Sequence, residues 1–87
     1  MNKLLTLTIF LLLNFLVMAN ECEKGHWVKK STSDGSIVIL EDGSAWEIAP
    51  IDRGYTVNWP PKTNITACDG KLINADGGEV AEAIRIK

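Results

Sequence analysis

Past an apolar opening stretch, short apolar runs alternate with glycine, aspartate, asparagine and proline, and no long segment repeats every 3.6 residues. That texture predicts strands and tight turns. Trp27 and Val28 predict the start of a first strand. Residues 36–40 are a β-branched run with apolar side chains on both faces, which predicts a strand buried on both sides. Glu41-Asp42-Gly43-Ser44 reads as a tight turn, because Gly43 can take a positive φ. Ala45–Ile48 returns beside it, with Trp46 and Ile48 on one face and Glu47 on the other. Pro50 and Gly54 then argue against a helix interior in the connection that follows. Residues 55–59 alternate, predicting a strand that shows Tyr55, Val57 and Trp59 on one face until Pro60-Pro61 stops it. Asn64–Cys68 and Lys71–Asn74 predict two more strands, with turns at Asp69-Gly70 and at residues 75–78. The last piece stays open. Val80, Ile84 and Ile86 alternate as in a strand, while Glu-Val-Ala-Glu-Ala-Ile also fits two helical turns.

One internal echo accompanies the pattern. Residues 34–44 read DGSIVILEDGS and residues 69–78 read DGKLINADGG, each a short apolar strand between two Asp-Gly turns. A duplication and the ordinary chemistry of hairpin turns account for it equally. The expected fold class is all-β: a small five- to six-stranded antiparallel curled sheet or partly open barrel, SH3-like or OB-like, which buries one face and limits exposed edges.

The opening stretch adds an address. Lys3, the apolar residues 4–16 and the small-residue site Val17-Met18-Ala19 have the form of a signal peptide cleaved after Ala19. Asn14 interrupts the apolar run and no positive stop-transfer flank follows, so membrane contact is expected only through the uncleaved leader. Removing residues 1–19 from 87 leaves 68, enough for one domain over 20–87. Within it, residues 20–35 are the N-terminal segment and first strand, and 36–87 the barrel core. The leader removes one of nine basic residues, so eight face eleven acidic ones, a net charge of −3. That balance argues against nucleic acid and anionic lipid as partners. A domain this small needs a staple. Cys22 and Cys68, carried into an oxidising compartment, predict a disulfide closing a loop of about 46 residues, worth about 4 kcal/mol. Glu21, where a lipobox needs a small residue, argues against a lipid-modified Cys22, and two free thiols are the other alternative.

The run LEDGSAWEI at residues 40–48, then Asp52, Trp59 and LINADGGE at residues 72–79, resembles a pattern in small exported bacterial proteins of unassigned function. These carry a DGSxW strand pair, a downstream tryptophan and a late LINxDxGE turn. The likeness spans about residues 36–82 and rests mostly on turn glycines and core aromatics. Relatives of this kind often have Gly-Asp where this chain has Pro60-Pro61. The resemblance implies a periplasmic or secreted bacterial β-domain and brings no catalytic residue.

Candidate chemistry is sparse. Three tryptophans and Tyr55 are many aromatics for the size. Trp46, alternating with apolar neighbours, predicts a core residue, whereas Trp59 beside Pro60-Pro61 is the best candidate for an exposed ring on which an extended ligand docks. Asp52-Arg53, a charged pair in a Pro/Gly loop, joins Trp59 and Tyr55 as the candidate binding residues, although a pairing across the loop explains it too. His26, the single histidine, has no ligand-spaced partner in the sequence and reads as a surface or structural residue. Asp34, Asp42, Asp69 and Asp76 read as turn residues. No catalytic set, metal site or cofactor is expected. The pattern points to a non-enzymatic binding or interaction module of the cell envelope, its partner an envelope protein or glycan. The alternatives are an accessory domain that associates through a sheet edge and, less favoured, a small carboxylate hydrolase.

Overall fold

The structure, a computed structural model, describes residues 22–87; the expected leader and its cleavage site lie outside the described residues. Six antiparallel strands close into a barrel in the order β1-β2-β3-β6-β5-β4. They are β1 (Cys22–Ser31), β2 (Ile37–Leu40), β3 (Ala45–Ile48), β4 (Asn64–Cys68), β5 (Lys71–Asn74) and β6 (Val80–Arg85). Two three-stranded meanders therefore meet first strand to first strand and last to last. The echoed segments occupy equivalent places, since β2 and β5 are the two middle strands. Aligned on their second Asp-Gly, Val38 and Leu40 match Leu72 and Asn74, and all four are buried.

Closure falls on β1, which pairs with β4 over Cys22 to Trp27 and with β2 over Val28 to Ser31. A strand serving two meanders has to bend. Its register shifts once between Glu23 and His26, where Gly25 sits at φ +87°, and again between Val28 and Lys30. Each bulge adds local twist. Cys22 and Cys68 are register partners in the β1–β4 seam, joined by the expected disulfide at a Cα separation of 4.3 Å. That spacing belongs to the narrow kind of antiparallel pair, whose side chains lie closest.

Alternation decides the core. Val28, Val38, Leu40, Trp46, Ile48, Ile65 and Leu72 fill it. Residues 36–40 differ from expectation, because only Val38 and Leu40 are fully buried while Ile37 and Ile39 are half-covered. The C-terminal piece is a strand, with Ala81 and Ala83 pointing inward. Val80, Ile84 and Ile86, the residues whose alternation suggested it, face outward at 46%, 67% and 55% exposure. An interior that already holds two indoles leaves alanine-sized room beside this strand.

The segment after β3 departs most from expectation. Residues 55–59 are not a strand. A 3₁₀ turn at Pro50–Asp52 runs into a single helical turn, α1 (Arg53–Thr56), followed by tight turns to β4. Pro50 suits a first helical position, where no N–H is needed, and a one-turn helix tolerates Gly54. The buried residues are Thr56 and Trp59, three apart, while Tyr55 and Val57 stay exposed. That is helical spacing, not strand spacing. The Thr56 hydroxyl donates to the Gly35 carbonyl at 2.6 Å, and Trp59 Nε1–H donates to Glu79 Oε1 at 3.2 Å. Gly35 and Glu79 flank the start of β2 and the start of β6, so the connector plugs that end of the barrel. Among the described residues, no helix is long and apolar enough to cross a membrane.

Gly35 shows how tight the plug is. A Cβ there would lie 2.5 Å from the Arg53 carbonyl oxygen and 2.8 Å from Thr56 Oγ1, on a residue at φ +76°. Gly25, also at positive φ, has nothing within 4 Å. Gly25→Ala should therefore cost only the left-handed penalty, about 1 kcal/mol, whereas Gly35→Ala should cost at least about 3 kcal/mol. Urea denaturation of the two variants measures the difference, and equal costs would contradict the close approach.

Candidate functional site

The end opposite the plug is open. Here β1 begins, β2 turns into β3, β4 turns into β5, and β6 ends, leaving a concavity of about 380 Å³. Its floor is core surface: Leu40, Trp46, Ala67 and Ala83. Its rim is charged, carrying Glu23, Asp42 and Asp69 against His26 and Arg85. An apolar floor with a few converging polar groups is the usual form of a small-ligand site, and barrel mouths are a usual place for one.

Two adjacent networks hold the rim. In the β2–β3 turn, Asp42 Oδ1 accepts from the Ser44 N–H at 2.9 Å and from the Ser44 hydroxyl at 2.7 Å. Ser44 Oγ in turn accepts from the buried Trp46 Nε1–H at 3.0 Å. The Ser44 hydroxyl and N–H hold the Asp42 carboxyl below its ordinary value. Beside this turn, His26 lies between two carboxylates. Its Nδ1 is 2.8 and 3.0 Å from the two oxygens of Glu41, and its Nε2 is 3.0 Å from Glu23 Oε2. Glu41 is held from the other side by the Trp27 N–H, 2.9 Å from Oε1. The Glu23 contact, followed by that of Glu41, raises the His26 pKa above its ordinary value against the opposing effect of burial.

The mouth is not where the sequence placed a site. Trp59, expected as an exposed ring, is 3% exposed, because its indole belongs to the plug. One edge of it borders a shallow depression with Val57, Pro60 and Pro61, on the opposite end from the mouth. Tyr55 is half exposed on the connector and does not line that depression. Asp52 and Arg53 hydrogen-bond to the backbone of β6 and β3, away from the mouth. Asp52 Oδ2 accepts from the Glu82 N–H at 2.9 Å, and Arg53 Nε–H donates to the Ile48 carbonyl at 3.0 Å. Both fasten the connector to the barrel wall. Trp46 is in the core as expected. Asp34 and Asp76 act as turn residues: Ser36 and Thr32 hydrogen bonds draw the Asp34 pKa down to about 2, and Asn64 bonds lower that of Asp76.

Sequence reasoning left His26 without partners because Glu41 and Asp42 are distant along the chain. The β1–β2 register brings them together, with Val28 opposite Leu40 and the Glu41 N–H donating to the Trp27 carbonyl at 3.0 Å. Comparison with protein-family models, curated proteins and solved structures finds no match to this chain.

Ser44→Ala tests the first network. It leaves the Trp46 N–H buried without an acceptor, which should cost about 1–3 kcal/mol of stability. A lowered carboxyl pKa stabilises the fold above the ordinary value near 3.8 and loses that contribution as pH falls through the lowered one. The Asp42 titration midpoint, followed by NMR, should therefore rise in Ser44→Ala, and the acid-linked loss of stability should shrink. An unchanged midpoint would contradict the Ser44 contacts.

Proposed function

We propose that this chain is an exported binding module of the cell envelope, without catalytic activity, and that it holds its ligand in the open mouth of the barrel. The observation that carries this reading is the mouth itself: an apolar floor about 380 Å³ in extent, ringed by three carboxylates and two basic side chains. The excess of negative charge favours a positively charged head group on an apolar stem, so an envelope peptide bearing a free amine is the ligand class. The disulfide and the leader-like opening support an oxidising compartment, periplasmic or extracellular. Barrel closure weighs against association through a sheet edge, since each strand is already paired on both sides.

Two experiments test the proposal. N-terminal sequencing of the protein recovered outside the cytoplasm should begin at Asn20, and a retained Met1 would contradict export with cleavage. Titration with peptidoglycan-derived peptides bearing a free amine should give a saturable change in tryptophan fluorescence, because Trp46 floors the mouth. Asp69→Asn should weaken the interaction about tenfold by removing a rim charge. Absence of a response, or an Asp69→Asn variant that binds as the wild type does, would overturn the mouth as the binding site.

A further inference from the structure

A histidine with a carboxylate at each ring nitrogen carries an electrostatic requirement. Neutral imidazole has one N–H donor and one lone pair, so it can satisfy only one carboxylate by donation. The other nitrogen faces a carboxylate lone pair to lone pair unless a positive centre sits between them. That centre is either a second proton or a metal cation.

The surroundings favour a cation on the Nδ1 side. A ring nitrogen of His26, one carboxylate oxygen of Glu41 and one of Asp42 lie within 4.8 Å of one another. Tetrahedral zinc holds its nitrogen and oxygen ligands at about 2.0–2.2 Å, which spaces them by about 3.3 Å, so Nδ1 and Glu41, now 2.8 Å apart, would open by about 0.5 Å to admit the ion. Glu23 completes the arrangement from the far side. Its Oε2, 3.0 Å from Nε2, accepts from that nitrogen in the tautomer that turns the Nδ1 lone pair toward Glu41 and Asp42, the usual role of a carboxylate behind a metal-bound histidine. His26 and Asp42 also line the mouth, so a fourth coordination position would open into it. Glu41 does not line the mouth and is backed by the Trp27 N–H.

We propose that His26 Nδ1, Glu41 and Asp42 form a binding site for a divalent transition cation, zinc by the character of its ligands, with Glu23 as the positioning residue. One imidazole with two carboxylates suits zinc better than calcium, which takes six to eight oxygen ligands. The site shares His26 and Asp42 with the mouth, but its ligation requires no organic ligand there.

Calorimetric titration of the protein with zinc chloride at pH 7.5 tests this. One zinc should bind per chain at micromolar or lower Kd, with calcium chloride giving no comparable heat. His26→Gln, Glu41→Gln and Asp42→Asn should each weaken zinc by at least tenfold, and Glu23→Ala by about tenfold through the loss of ring orientation. The Gln and Asn side chains at 41 and 42 keep an oxygen for the Trp27 and Ser44 N–H groups, so these variants should fold, which near-ultraviolet circular dichroism checks. Asp69→Asn, which disturbs the mouth but not the ligands, should bind zinc as the wild type does, separating this outcome from that of the peptide titration. Millimolar or unsaturable zinc binding would overturn the site and leave His26 held by a second proton. Micromolar binding that survives His26→Gln would overturn it equally.

Discussion

Backbone pairing around the full circumference is the constraint on which the other features depend. A barrel of six short strands offers each strand few hydrogen bonds, and an unpaired edge would leave backbone donors and acceptors to water or to another chain. Closing it requires one strand to leave one meander and join the other. β1 does so by bending at two bulges, and the disulfide between Cys22 and Cys68 ties its first residue to the partner it must keep. The bond thus fixes the seam whose formation requires contacts distant in sequence, where the entropy of the open chain is greatest.

Closure also separates the two ends of the barrel. One is sealed from above by the connector, with the Thr56 hydroxyl on the Gly35 carbonyl and the Trp59 indole packed beneath. The other is bounded only by strand ends and two tight turns, so core residues such as Leu40 and Trp46 form the floor of an open concavity. The two ends differ in chemistry as well. The plug bonds its polar groups to the barrel wall, whereas the mouth collects charged side chains from β1, β6 and the turns, including a histidine between carboxylates.

Much of the fold was legible because it follows from local chemistry. The β2–β3 hairpin joins two short apolar runs around an Asp-Gly turn, and the two cysteines allow one intramolecular pairing. Residues 55–59 were misread for a physical reason: their apolar–polar alternation is strand-like, but five residues are too few for local pattern to decide. The choice was made by tertiary contacts, the Thr56 hydroxyl and the cover that Trp59 gives the core, which local propensity does not encode. The apolar alternation of Val80, Ile84 and Ile86 left strand and helix both open and did not point to the inward face, because the volume taken by tryptophan elsewhere admits alanine there. The His26 group was illegible for a related reason. Its partners arrive through the β1–β2 register, and no spacing along the chain announces them.

Closure at both seams is open to measurement by amide hydrogen exchange. The Val28 N–H donates to the Thr63 carbonyl at 2.9 Å beside the first seam, and the Ala49 N–H to the Glu82 carbonyl at 2.9 Å beside the second. If the barrel is closed, both amides should exchange as slowly as those inside the β2–β3 hairpin, through global unfolding alone. Exchange at either seam that is a hundredfold faster than in the hairpin would show an open sheet and rule out a closed barrel.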